Sequence, residues 1–243
     1  MGKLTGKIAV ITGGNRGIGA GIACAYAGEG CALALAARDA DRLATTAADL
    51  RAGGAEVLEV PTDITSEADV EALFAKTMEQ WGRVDVLVNN AGAFDGGPLD
   101  ELTLDAWEKV MAVNLRGPFL CTRAAFRIMK AQGGGRIINI ASISAQRVRL
   151  NSAPYSTSKH GLWGLTQVTA LEGRPHGIAA SCLHPGNTVN DRRALGLTES
   201  DREPMMAADE LAEVALLMAT LPNHVNMLEA IVLPVEQLYV GRG

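Results

Sequence analysis

The chain has 243 residues, 48% of them hydrophobic, 20% charged and only 4% aromatic, which excludes disordered and fibrous classes and suits an aliphatic core. Lys plus Arg number 22 and Asp plus Glu 27, so the net charge is −5, no polyanion-binding surface is expected, and nucleic acid is not an expected partner. The four cysteines, Cys24, Cys31, Cys121 and Cys182, form no C-x-x-C pair and lie in apolar runs, where they read as small buried hydrophobes of a reducing compartment without disulfide or metal roles. At the N-terminus, MGKLTGKIAVITGG turns to glycine after an apolar run too short for a secretory signal or a membrane span. A cytoplasmic location with no membrane contact is therefore expected.

Seven short apolar runs follow one another along the chain: KIAVIT at 7–12, CALALA at 31–36, AEVLEV at 55–60, VDVLV at 84–88, RIINIA at 136–141, IAASCL at 178–183 and EAIVLP at 229–234. They lack clean period-two alternation and are separated by enough chain for crossover helices. The consistent solution is one doubly wound parallel sheet with helices on both faces, a single α/β domain spanning 1–243. Trp107, Val110, Met111, Leu115, Phe119 and Leu120 recur near a 3.6-residue period, as do Leu211, Val214, Ala215 and Met218, and read as helix faces packed on the sheet. A polar, weakly periodic stretch at about 187–207 reads as a substrate loop.

The first run ends in TGGNRGIG at 12–19, which opens into an Ala-rich helical segment. Gly13, Gly17 and Gly19 between a strand and a helix start allow a tight turn, close approach of a pyrophosphate to main-chain N–H groups, and close helix-to-sheet packing. A plain glycine turn is the alternative on this segment alone. After the second run comes Ala36-Ala37-Arg38-Asp39, with no acid in the first position after the strand. A ribose 2′-hydroxyl calls for a carboxylate there, whereas a 2′-phosphate calls for a guanidinium, so Arg38 with Arg16 points to NADP(H). Asp39 facing inward in place of Arg38 reverses that preference, and both arginines also suit a solvated surface.

At 155–159 the sequence reads YSTSK, and i, i+4 spacing on a helix puts Tyr155 and Lys159 on one face. A phenol is a weak acid–base catalyst near neutrality, and a nearby ammonium favours the phenolate form. Ser142 follows the strand RIINIA at the edge where open α/β sheets bind ligands, and its hydroxyl is suited to hold a substrate carbonyl, with Ser144 the competing serine. His160, His176, His184 and His224 have no metal-type spacing, and the glycine loop lacks the Lys-Ser/Thr of a kinase or Walker loop.

TGGNRGIG, NNAG at 89–92, Asn114 in VNLRG, Ser142, YSTSK and Pro185-Gly186 stand in the order and spacing of the classical short-chain dehydrogenase/reductase family, which the sequence resembles from about residue 4 to 188. The resemblance implies a Rossmann-type fold and a catalytic set of Asn114, Ser142, Tyr155 and Lys159. In it Tyr155 protonates the carbonyl oxygen, Ser142 orients the carbonyl, Lys159 binds the nicotinamide ribose and tunes Tyr155, and Asn114 kinks a helix and holds a water. It further implies cofactor contacts from Gly13, Asn15, Arg16, Ile18 and Gly19, from Arg38, from Asp63 with Ile64 at the adenine, from Asn90, Ala91 and Gly92, and from Pro185 and Gly186. Asn187-Thr188-Val189-Asn190 departs from the family pattern of a valine-type residue followed by a threonine that reaches the nicotinamide carboxamide, and Thr188 stands for either of those two positions. The ending LPNHVNMLEAIVLPVEQLYVGRG lacks the usual glycine-rich motif and resembles a subset acting on hydroxy acids and small carbonyls.

The implied activity is NADPH-dependent reduction of a ketone, aldehyde or oxo ester or acid to an alcohol. An alcohol or hydroxy-acid dehydrogenase working oxidatively, and a non-catalytic NADP-binding sensor, are the alternatives. The resemblance and the apolar residues Phe119, Leu120, Phe126, Leu162, Trp163 and Leu165 imply a homo-oligomer, a tetramer or else a dimer, formed through helices over about 104–131 and 153–172. Phe94 to Leu99, Gln146 to Arg149 and 187–207 are expected to wall the substrate pocket. There Arg147, Arg149, Arg192 or Arg193 either recognises an acid group or is solvated.

Overall fold

A computed structural model describes residues 1–189 and 204–239. The seven strands are β1 (Ile8–Thr12), β2 (Ala32–Ala37), β3 (Val57–Pro61), β4 (Val86–Asn89), β5 (Gly135–Ile140), β6 (Ile178–Pro185) and β7 (Glu229–Val232). They form one sheet in the order β3-β2-β1-β4-β5-β6-β7, and every neighbouring pair is parallel. All seven apolar runs are strands of this sheet, their ends shifted by a residue or two.

The helices are α1 (Gly17–Gly28), α2 (Ala40–Ala52), α3 (Glu67–Trp81), α4 (Leu104–Met111), α5 (Gly117–Gln132), α6 (Ala153–Gly173) and α7 (Ala208–Thr220). Three of them, α2, α3 and α4, are capped by short polar side chains: Asp39 accepts from Arg42 N, Ser66 from Asp69 N and Thr103 from Ala106 N. Alternate residues of each strand feed opposite sides of the sheet. Ala9 and Ile11 pack with Ile22 and Tyr26 of α1 and Leu211 and Met218 of α7, whereas Val10 packs with Leu73 and Phe74 of α3 and Leu120 and Met129 of α5. Tyr26, fully buried, donates its hydroxyl to Ala215 O at 2.9 Å and so ties α1 to α7.

Helices α4 and α5 are joined without a break by a π-helical turn, Ala112–Arg116, which contains Asn114. Three expectations need correction. Cys24 is exposed, because α1 turns Ile22, Ala23 and Tyr26 to the sheet and leaves Cys24 on the outer face; Cys31, Cys121 and Cys182 are buried, and burial pushes their thiols up to about 12. Phe119, 44% exposed, points away from the sheet while its neighbour Leu120 enters the core. Leu120 and Leu162 are both buried within the chain itself, so they are not available to a partner.

Asp85 ties the starts of β1 and β4 together. Its carboxylate accepts from Ile8 N at 3.0 Å, from Lys7 Nζ at 3.2 Å and from Arg83 Nε and Nη2 at 2.8 and 2.6 Å. Burial pushes this carboxyl up, but Arg83, the Ile8 N–H and Lys7 together outweigh it and hold Asp85 below the usual carboxylate range. A lowered folded-state value stabilises the protein above the ordinary carboxylate range, and that contribution is lost as pH falls through the lowered value. Asp85→Ala is expected to lower stability by about 3 kcal/mol at pH 7, since Ile8 N–H and two cations lose their acceptor. Urea unfolding checks this, and the gap between wild type and variant should close as pH drops below about 4.

Candidate active site

The loop from β1 into α1 is built for close approach. Gly13 and Gly17 have φ of 64° and 51°, in the left-handed region that a side chain disfavours. A Cβ on Gly19 would lie 2.2 Å from Gly13 O, whereas one on Gly17 would point into open space. The loop is stitched to the end of β4: Asn90 N and Ala91 N donate to Thr12 Oγ1 at 3.0 and 3.1 Å, and Asn90 Nδ2 donates to Thr12 O and Gly13 O at 3.0 and 3.1 Å. The expected cofactor residues Gly13, Gly19, Asn90 and Ala91 thus meet in one place. Asn15 is buried, its carbonyl accepting from Thr46 Oγ1, Ile18 packs on the core, and Arg16 is exposed at the N-cap of α1. The open side of this loop, with the N-terminus of α1 behind it, fits a dinucleotide pyrophosphate.

At the end of β2 the two competing residues part. Asp39 Oδ1 accepts from Arg42 N at 3.0 Å as the cap of α2. Arg38 is exposed and makes no hydrogen bond or ion pair with any described residue. Asp63, after β3, accepts from Thr65 N and Thr65 Oγ1 at 2.9 and 2.8 Å. Burial raises its carboxyl, but these bonds and the charges of Arg38 and Arg116 outweigh that and hold it below its ordinary range. The Ile64 side chain belongs to the core, so close to α5 that a Cβ on Gly117 would lie 2.6 Å from its Cδ1.

The C-terminal edge of β5 and the first turns of α6 bring Ser142, Tyr155 and Lys159 into one region. Lys159, only 4% exposed, donates Nζ to Ile140 O at 2.9 Å, two residues before Ser142, and its Nζ lies 5.7 Å from the Tyr155 ring centroid. Ser142 Oγ accepts from Ser144 N at 3.1 Å, so of the two competing serines Ser142 is the one whose oxygen is held by the other's backbone. Asn114 is fully buried; it accepts from Ala93 N at 2.7 Å and donates to Ala93 O at 2.9 Å and to Ser158 Oγ at 3.2 Å, and Ser158 Oγ donates to Tyr155 O. The π-helical turn therefore reaches the Tyr155 backbone through Ser158. Gly92 sits in the same bend, where a Cβ would find 3.6 Å to Asn114 Oδ1.

Beyond Pro185, Gly186 N donates to Val232 O and Asn187 N to Gln237 Oε1, both at 2.8 Å. Thr188 is buried and its hydroxyl turns back to Gly186 O at 3.3 Å. Residues 190–203 of the expected substrate loop, with Arg192 and Arg193, lie outside the described residues.

Two features went unread in the sequence. His184, fully buried in β6, donates Nδ1–H to Ser142 O at 2.9 Å; burial holds the ring below the usual histidine range against the pull of the Ser142 carbonyl and Glu229, whose Oε1 is 3.2 Å from Nε2. Phe94 meets Tyr155 edge to face at 5.3 Å between centroids, and the Arg149 guanidinium carbon lies 5.1 Å from the Phe94 centroid and 6.0 Å from that of Tyr155. A histidine inside an apolar strand just before Pro-Gly was the available signal for the first.

Residues 7–195 match the sequence profile of the short chain dehydrogenases. The chain belongs to that family. It is 35% identical over 236 residues to an uncharacterized oxidoreductase of Staphylococcus saprophyticus, covering 97% of this chain and 100% of the relative. An uncharacterized oxidoreductase of Thermotoga maritima is 41% identical over 183 residues, 75% of this chain and 72% of that one. Among solved structures, a metagenomic short-chain oxidoreductase in complex with NADP superposes with a TM-score of 0.84 at 34% identity, over 96% of this chain and 99% of the other. A dehydrogenase/reductase of Sinorhizobium meliloti gives 0.88 at 34% identity over 95% and 94%. The chain is thus an oxidoreductase of the short-chain dehydrogenase family with its doubly wound fold. No described helix is long and apolar enough to cross a membrane, and no metal-type cluster occurs among the described residues.

Proposed function

We propose that this short-chain dehydrogenase is an NADPH-dependent reductase of small carbonyl compounds, the whole chain acting as one Rossmann-type NAD(P)-binding domain. The observation that carries the reading is the joining of Lys159 to β5 beside Ser142, with Tyr155 one turn away on the same helix. The glycine loop, Arg16, Arg38, Asp63, Asn90 to Gly92, Pro185, Gly186 and Thr188 would hold the dinucleotide, and an NADP-bound relative supports the choice of cofactor. NADPH held there would supply the hydride for the carbonyl carbon, itself being oxidised to NADP⁺.

The chain's own task is the oxygen end of the reaction. As the carbon gains hydride, negative charge develops on oxygen, and the Tyr155 hydroxyl donates the proton that completes the alcohol. Ser142 Oγ accepts from Ser144 N, which leaves its hydroxyl proton for donation to the same carbonyl oxygen. Lys159, buried with its ammonium on a backbone carbonyl, stabilises negative charge at Tyr155 as the proton leaves. His184 holds the Ser142 carbonyl from behind, so the serine is presented from a backbone fixed on two sides. A binding sensor needs only the dinucleotide half of this arrangement. Assaying NADPH oxidation over aldehydes, ketones and oxo esters, and NADP⁺ reduction over the matching alcohols, tests the reading; binding without turnover in either direction would leave the sensor.

The oligomer proposal rests on exposed apolar residues of the same helices. Leu104 and Phe119 near α4 and α5, and Val168 and Leu171 on α6, are 44–71% exposed. A homotetramer is expected, with light scattering giving about four times the 25.5 kDa chain mass at micromolar concentration. A monomer mass would contradict it.

A further inference from the structure

Arg149 is an exposed cation beside Tyr155. Its guanidinium lies over Phe94 and Tyr155, and among the described residues no carboxylate pairs with it. Asp95, next to Phe94 in sequence, is engaged by Lys109 Nζ at 2.9 Å. Aromatic faces attract the cation but offer its N–H groups no acceptor comparable to a carboxylate.

The placement is built into the backbone. Ser152, 2% exposed, donates Oγ to Arg149 O at 2.7 Å and shares a 2.8 Å hydrogen bond with Ser156 Oγ, which fastens the Arg149 backbone to the first turn of α6, where Tyr155 sits. Asn151 between them has φ of 57°, the one non-glycine residue in the left-handed region among the described residues. Opposite, Gly96 approaches so closely that a Cβ there would lie 2.0 Å from Asn151 O. The segment bearing Phe94 and the segment bearing Arg149 are therefore held against each other, with the Tyr155 ring in contact with both.

From this we infer that Arg149 forms a carboxylate subsite, and that the preferred substrates are 2-oxo and 3-oxo acids, or the corresponding hydroxy acids in the reverse direction. This rests on the carbonyl-reductase reading above. A guanidinium binds a carboxylate through paired, charge-assisted N–H···O bonds, and with its carbon 6.0 Å from the Tyr155 ring centroid Arg149 is near enough to suit acids whose carboxylate is one or two carbons from the carbonyl. The rings of Phe94 and Tyr155 supply an apolar wall for the chain between the two groups.

The test compares kcat/KM for 2-oxobutyrate against methyl 2-oxobutyrate, and acetoacetate against methyl acetoacetate, in wild type, Arg149→Lys and Arg149→Met. Reading the acid-to-ester ratio within each protein cancels any effect of the substitution on Tyr155 itself. The wild-type ratio is expected at about 10 to 100, falling to about one in Arg149→Met and partly kept in Arg149→Lys. A ratio near one in wild type, or one unchanged by Arg149→Met, overturns the inference while leaving carbonyl reduction standing. Calorimetric titration of the NADP-loaded protein with oxamate, an unreactive carboxylate analogue, gives a second reading. If neither acids nor esters turn over, a Kd at least about tenfold weaker in Arg149→Met keeps the carboxylate subsite and removes the reductase reading, and an unchanged Kd removes both.

Discussion

Tyr155→Phe is expected to bind NADPH nearly as wild type does and to reduce carbonyls about 10²–10⁴-fold more slowly. The prediction is sharp because every described contact of the Tyr155 side chain is made by its ring: Phe94 edge to face, Arg149 and Lys159 through their cations. Phenylalanine keeps that ring, so the substitution removes the proposed proton donor and little else. The Tyr155 carbonyl still accepts from Ser158 Oγ, and the helix and its tie to Asn114 are untouched. Stopped-flow hydride transfer with the bound cofactor isolates the chemical step, and equilibrium fluorescence titration gives the NADPH Kd. Wild-type turnover in Tyr155→Phe would remove the residue from the mechanism. Lys159→Ala should behave differently, losing both cofactor affinity and kcat, because its ammonium is the buried cation joining β5 to the Tyr155 face.

Much of this architecture is legible because a parallel sheet covered on both faces writes its strands as unbroken apolar runs separated by crossover lengths. All seven runs became strands for that reason, and YSTSK became one helical face because i and i+4 must share it. What periodicity does not encode is which side of a helix meets the sheet when both sides are apolar. Cys24 and Phe119 were misplaced on that account, their neighbours Ala23 and Leu120 taking the buried positions. Contacts between segments distant in sequence were illegible for a different reason. His184 lies 42 residues from Ser142, and no local pattern brings its ring to that carbonyl. The approach of Arg149 to Tyr155 depends on one left-handed asparagine and on a glycine 55 residues away, which only the folded chain juxtaposes. The helix irregularity at Asn114, by contrast, was expected from the family resemblance, and the π-helical turn stands there with the Asn114 amide bonded to Ala93.

Ala37→Asp is expected to invert cofactor preference, from NADPH in wild type to NADH, and Arg38→Ala to weaken that preference without inverting it. The two cofactors differ by one 2′-phosphate, so discrimination comes from whatever faces that group. Asp39 was the sequence's counterweight, but its carboxylate is engaged with the first turn of α2, accepting from Arg42 N. Asp63 is held by Thr65 and the charge of Arg38 acts on it only through space. On the proposed reading the N–H groups of Arg38 would meet the phosphate oxygens, a charge-assisted contact that would contribute about 1.5–3 kcal/mol, or very roughly 10- to 150-fold in kcat/KM. Arg16 at the start of α1 adds a second cation on an exposed site, where salt screening reduces its share. A carboxylate at position 37 acts in the opposite sense on each ligand: it accepts from the 2′-hydroxyl of NADH and repels the phosphate of NADPH, so its effect on the ratio should exceed the loss of Arg38 alone. The measurement is kcat/KM for both cofactors in the three proteins, repeated at low and high salt. Preference for NADH in wild type would mean that the Asp39 carboxylate leaves its cap to face the ribose, and the ratio would then respond to Asp39→Asn rather than to Arg38→Ala.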